Sequence, residues 1–157
     1  MLEDKLNEIR RKAIAFMLKR GWKKLLAKSR QFTQSLFEHT IVELDALIQL
    51  LPILRRPKHF NLTEEEEKIL IASIICHDVG KERQEWQEYI KGQRSFISDV
   101  DAELTKQTVP EICEALGFND IKHSDIENCI NLHMKHERTD GNVLLAMLQK
   151  DTGRWKT

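Results

Sequence analysis

Glycine and proline are scarce in this chain, six and three among 157 residues. A fold of many short strands needs them at its tight turns, so the scarcity argues against an all-β architecture and favours helices. No apolar run approaches the about 20 residues of a membrane span. The basic N-terminus lacks the apolar stretch and small-residue cleavage site of a secretory signal. Together these lead us to expect no membrane partner. The three cysteines, Cys76, Cys113 and Cys129, are odd in number, far apart and without a CxxC pair. Free buried thiols in a reducing cytoplasm are the simplest expectation. Internal repeats and low-complexity segments are also missing.

What is present fits one globular domain: 41% hydrophobic residues, 32% charged, and enough length for a real core. A net charge of zero conceals an asymmetry. Residues 1–30 hold ten Lys and Arg (Lys5, Arg10, Arg11, Lys12, Lys19, Arg20, Lys23, Lys24, Lys28, Arg30) against Glu3, Asp4 and Glu8, which leaves the remainder at −7. A basic arm over 1–30, packed on a domain of 31–157, fits contact with nucleic acid or an acidic partner. It fits equally a solvated helix face, or a helix docked on its own acidic body, since no aromatic residues interleave with the charges.

The periodicity predicts six or seven helices in one all-α domain. Leu2, Leu6, Ile9, Ala13, Phe16 and Met17 mark the first, with Gly21 as its end or kink. The second runs over about 32–51 with Leu36, Thr40, Leu44, Leu47 and Leu51 on one stripe; Pro52 and Pro57 bound the connection that follows. Thr63 to Glu66 forms a capping box for the third, its acids suited to a positive helix N-terminus. The apolar run Ile69–Cys76 makes this the central buried helix, ended by Gly80. A polar helix over 82–91 carries Trp86 and Tyr89, and a loop spans 92–98. A helix over about 101–116 is interrupted at Pro110 and capped by Gly117. A capping box at Ser124–Glu127 opens a helix over 125–137. A turn at Asp140-Gly141 and a short helix over 142–150 complete the chain.

The chemistry concentrates in Ile75-Cys76-His77-Asp78-Val79-Gly80-Lys81. An ionised Asp at the edge of a core is costly unless a positive group holds it. An imidazole beside a carboxylate is a mixed N/O pair suited to Mn²⁺, Fe²⁺, Co²⁺, Ni²⁺ or Zn²⁺. Two ligands do not make a site, so others must come from elsewhere. His39 follows the apolar pair Leu36-Phe37, and His133 and His136 share one face of a later helix. His123 precedes that helix, and Asp151 follows the last one. His59, in the basic linker, reads as a surface residue. Each of the others has an ordinary structural explanation taken alone, and the combination is what marks a metal site.

This order of residues resembles the HD superfamily of metal-dependent phosphohydrolases, all-helical domains with the pattern H…HD…H…H…D. The first His falls on His39 and the doublet on His77 and Asp78. The later His positions fall on His133 or His136, with His123 as a further candidate, and the final Asp on Asp151. The segment His133-Met134-Lys135-His136-Glu137-Arg138-Thr139-Asp140-Gly141 is similar to part of the HD-GYP cyclic dinucleotide phosphodiesterases. Lys135 in place of His, and the missing Gly-Tyr-Pro, argue against that branch. Over about 30–157 the chain resembles more closely the HD nuclease domain of CRISPR effectors, in particular the N-terminal domain of the type I-D large subunit. There too an apolar helix runs into HD-x-x-K, a segment like Asn131-Leu132-His133 follows, and an Arg-Trp-Lys resembles Arg154-Trp155-Lys156.

That resemblance implies a nuclease of antiviral defence that cleaves DNA, single-stranded or unwound, with one or two divalent ions (Mn, Ni, Co, Fe, Mg or Zn) and with other subunits of a CRISPR effector complex as partners. It also implies that these residues begin a longer protein. In such a site Asp78 would bridge metals or orient water, and Lys81 would contact the phosphate or neutralise the transition state. Lys81 could equally be a surface residue after a helix end. The basic arm and the Lys and Arg of 55–58 would guide a DNA backbone; Trp86 or Tyr89 would stack bases, unless Trp86 belongs to the core. Two other functions fit the residues, an HD hydrolase of small or cyclic nucleotides and a non-catalytic scaffold with an incomplete metal site.

Overall fold

The computed structural model describes residues 1–28, 32–58 and 60–140, the side chains of 133–140 excepted. The described chain is an all-α bundle with one small β pair. Helix α1 (Glu3–Lys19) leads through a 3-10 turn (Trp22–Lys24) to β1 (Leu26–Lys28) and β2 (Gln34–Ser35), and then to α2 (Leu36–Leu54). Helix α3 (Glu64–Cys76) runs into a second 3-10 turn (Val79–Glu82), followed by α4 (Gln84–Ile90), α5 (Ala102–Leu116) and α6 (His123–Asp140). The turn expected at Asp140-Gly141 and the helix expected over 142–150 lie outside the described residues, apart from Asp140 itself, which closes α6.

Helix α3 is the axis. Its start is fixed as the sequence implies: Thr63 Oγ1 accepts from Glu66 N, and Glu66 reaches back to Thr63 N. Beyond that cap every residue from Ile69 to Cys76 is buried, because α2, α5 and α6 all pack on α3. An apolar run on all sides therefore becomes a central helix rather than a strand. Helix α2 offers it the expected stripe, with Leu36, Thr40, Leu44, Leu47 and Leu51 fully buried.

Several boundaries differ from the sequence expectation, each for a local reason. Helix α2 begins at Leu36, because Ser35 caps it by accepting from Glu38 N, and residues 34–35 pair antiparallel with β1. It also runs past Pro52 to the buried Leu54. Helix α5 passes through Pro110 unbroken, held by its buried face of Val109, Ile112, Cys113 and Leu116. Burial thus outweighs the single backbone bond that a proline removes. Gly117 ends α5 in the left-handed region, φ 73°, as its position suggested. Helix α6 starts at His123, ahead of the capping box expected at Ser124.

The basic N-terminal segment is docked on acidic elements of the same chain. Leu6, Ile9, Ala13 and Met17 enter the common core. Lys5 pairs with Glu64, Arg10 takes both carboxylate oxygens of Asp45, and Arg20 binds Glu82 and Glu111. No described helix is long and apolar enough to cross a membrane.

Candidate metal centre

Two elements bring the site together. Helix α2 carries His39 and Glu43 one turn apart, on the flank of its buried stripe, so that both point along the same face. Helix α3 delivers His77 as its C-terminal capping residue, with Asp78 immediately after it and Lys81 on the following 3-10 turn. The α2–α3 packing then closes the distance. His39 Nε2 lies 3.1 Å from Asp78 Oδ2 and 3.1 Å from Glu43 Oε1. His77 Nε2 lies 3.3 Å from Asp78 Oδ2 and 3.7 Å from Glu43 Oε1, and Lys81 Nζ lies 3.3 Å from Asp78 Oδ2.

The turn that holds Asp78 is tightly packed. Gly80 was expected to end α3 by its conformational freedom; its actual role is close approach. A Cβ there would sit 2.0 Å from Asp99 O, so only glycine lets the 98–101 segment lie on the turn. Arg83 fastens the same segment: Nε donates to Gly80 O at 2.8 Å, and Nη2 donates to Ser98 O.

Burial and charge set the electrostatics. Asp78 is 5% exposed and Lys81 7%, so Lys81 is no surface residue. Its ammonium stands 5.3 Å from the Trp86 ring centroid, and Trp86 is itself buried, which places this ring in the core. Burial alone would raise the Asp78 pKa. The charges of His77, Lys81 and His39 outweigh it and hold the carboxyl well below its usual range. Burial likewise disfavours a charged His39, yet its contacts with Asp78 and Glu43 prevail and lift its pKa to about 9.

The donor set fits a divalent cation. One ligand atom each from His39, Glu43 and Asp78 lies within 4.8 Å of the others. Metal–ligand bonds of about 2.0–2.2 Å give ligand–ligand edges of roughly 3.0–3.6 Å, and the contacts at 3.1 Å fall in that range. Glu43 Oε1 is shut off from solvent and its charge is met by the His39 imidazole at 3.1 Å, a place that a bound cation would take. His77 is oriented toward the same carboxylates. Its Nδ1 is 2.7 Å from Ile74 O; a carbonyl only accepts, so Nδ1 carries the proton and Nε2 turns to the carboxylates. One imidazole and two carboxylates, with the His77 imidazole beside them, make a mixed N/O environment suited to first-row divalent metals.

The structure thus unites His39, His77, Asp78 and Lys81, and adds Glu43, which sequence reasoning missed. The available signal was its place four residues after His39, beside the buried stripe. His123 is exposed at the first turn of α6. The side chains of His133 and His136, and all of Asp151, lie outside what is described, as do His59 and Arg154 to Lys156. A cavity of 210 Å³ opens beside His77, lined by Glu103, Lys106, Glu127 and Asn131 among others. Cys76 next to His77 is buried, which pushes its thiol pKa up and leaves it inert; Cys113 and Cys129 are likewise free and buried. Compared with protein-family models, curated proteins and solved structures, the chain matches none.

Proposed function

We propose that this chain is a metal-dependent phosphohydrolase of the HD type, acting as a nuclease on single-stranded or unwound DNA in a CRISPR-type defence complex. The observation that carries the reading is the convergence of His39 and Glu43, from α2, on the His77-Asp78 doublet at the end of α3. The residues of that pattern are about 40 apart in sequence, and a chance surface pair would not place a buried carboxylate oxygen 3.1 and 3.7 Å from two imidazole nitrogens.

In this reading His39, His77, Glu43 and Asp78 hold the divalent ion. Once bound, the ion would acidify a water and neutralise charge that develops at phosphorus. Asp78 would orient that water, with Lys81 at 3.3 Å helping to keep its carboxylate ionised. Lys81, fixed between Asp78 and Trp86, presents a positive charge to the scissile phosphate. Lys23, Lys24 and Lys28 are exposed, and Lys23 Nζ lies 5.2 Å from the ring of Phe37, in the first turn of α2. They stand at the end of α2 that carries His39, together with Phe32, and offer charges and an aromatic face to a strand.

The test is cleavage of labelled single-stranded DNA in Mn²⁺ by the wild type and by Asp78→Ala. Cleavage that disappears in the variant is the expected result. Inactivity of both on DNA, with turnover of mononucleotides or cyclic nucleotides, would move the assignment to a small-nucleotide hydrolase. Metal binding without any hydrolysis would leave a scaffold.

A further inference from the structure

The 3-10 turn that follows Asp78 is held from outside the site by two side chains that touch no candidate ligand, Glu82 and Gln87. Glu82 takes a two-pronged ion pair from Arg20, with both contacts at 2.7 Å, and a hydrogen bond from the indole of Trp22. Gln87, buried on α4, uses its whole amide. Its Oε1 accepts from Leu26 N at 3.0 Å, and its Nε2 donates to Leu26 O at 2.9 Å and to Lys81 O at 2.8 Å. The side chain thus sits on β1 as a neighbouring strand would and hands its second donor to the site. Lys81 N in turn donates to Asp78 O at 3.0 Å. Gln87 thus ties β1 to the carbonyl of Lys81, and the N–H of the same residue, in the preceding peptide group, ties Lys81 to the carbonyl of Asp78.

We propose that Gln87 is a positioning residue for the metal centre: it fixes the Asp78–Lys81 turn against the N-terminal segment, and that segment serves as a brace of the site. Here the inference rests on the metal-centre reading above. A segment whose polar groups are used in this way is not a free arm. Arg20, Trp22 and Leu26 are spent on the turn, while among the described residues Lys23, Lys24 and Lys28 stay exposed. Loss of the Gln87 amide leaves the carbonyls of Leu26 and Lys81 without that donor and lets the turn relax, so Asp78 moves off its geometry while the hydrophobic core stays intact. Outer-shell groups that orient ligands typically tune metal affinity by about 10- to 100-fold.

The experiment is Co²⁺ titration of the full chain, read by its visible ligand-field absorption, which reports coordination geometry independently of stability. Wild type, Gln87→Met and Ile9→Ala are compared. Ile9 lies in the core on α1 and serves as a destabilised control. Gln87→Met is expected to bind Co²⁺ about 10- to 100-fold more weakly and with an altered spectrum, while Ile9→Ala melts lower but keeps the wild-type spectrum. If Gln87→Met does not fold, Gln87→Glu, which keeps the acceptor and removes the donors, is expected to show the same loss. Wild-type affinity and spectrum in the Gln87 variants, or an equal spectral change in Ile9→Ala, would overturn the inference. Absence of Co²⁺ binding by the wild type would overturn the metal reading itself.

Discussion

At the scale of the residue, the sharpest claims concern Glu43 and His39. Removing a ligand should cost at least the about 10- to 100-fold that loss of an outer-shell partner costs. Glu43→Gln, which keeps shape and loses charge, is therefore expected to weaken Mn²⁺ binding by that much or more, measured by titration calorimetry; unchanged affinity would remove Glu43 from the ligand set. His39 sets the pH dependence. Its pKa of about 9 in the metal-free protein means that a ligand proton must leave when metal binds below pH 9. Affinity should therefore rise about tenfold per pH unit between pH 7 and 9. The same shift acts on the metal-free fold: a pKa raised above its unfolded value adds stability below about pH 6.5, and this is lost as pH climbs through about 9. Urea midpoints across that window check it. His39, His77, Asp78 and Lys81 could be singled out because, although each has an ordinary explanation alone, a His on one helix and a His-Asp doublet at the end of a buried one point to a site in combination. Glu43 was not, because a glutamate on a helix is ordinarily solvated, and only the α2–α3 packing reveals that its Oε1 is buried.

At the scale of the element, α3 and the turn after it carry the site. Helix α3 was readable from its two ends: a capping box at Thr63 and an apolar run that had to be buried. What the residues could not convey was the reason for Gly80, since the obstacle to a side chain there is Asp99 O, nineteen positions away in the chain. Gly80→Ala should destabilise the protein by about 1–3 kcal/mol, the range for overpacking a well-filled region, and should weaken metal binding with it, because the same turn holds Asp78. Calorimetric melting with and without Mn²⁺ measures both; an unaltered Tm would show that the 98–101 segment moves aside freely. The prolines mislead for the opposite reason. Pro52 and Pro110 read locally as breaks, but each lies in a helix whose apolar side is anchored on neighbours, and that tertiary burial exceeds the loss of one backbone bond. The β1–β2 pair is too short, at three and two residues, to leave an alternating pattern.

At the scale of the whole molecule, charge and metal connect the parts. The sequence showed that the first 30 residues are basic and the rest acidic, without showing which reading of that split is right. The ion pairs of Lys5, Arg10 and Arg20 with Glu64, Asp45, Glu82 and Glu111 tie α1 to its own body. A cation held by ligands from both α2 and α3 should then stabilise the entire bundle. At a Mn²⁺ concentration of 100 times Kd the gain is about 2.7 kcal/mol, or a rise in Tm of roughly 5–11 °C for a chain of this size, reversed by a chelator. The most direct test of the central claim is equilibrium dialysis of the full chain against Mn²⁺ at pH 8, wild type beside Asp78→Asn. The account predicts at least one ion bound per chain in the wild type and its loss in the variant. Equal binding by both proteins, or none by the wild type, would contradict a metal centre built on His39, Glu43, His77 and Asp78.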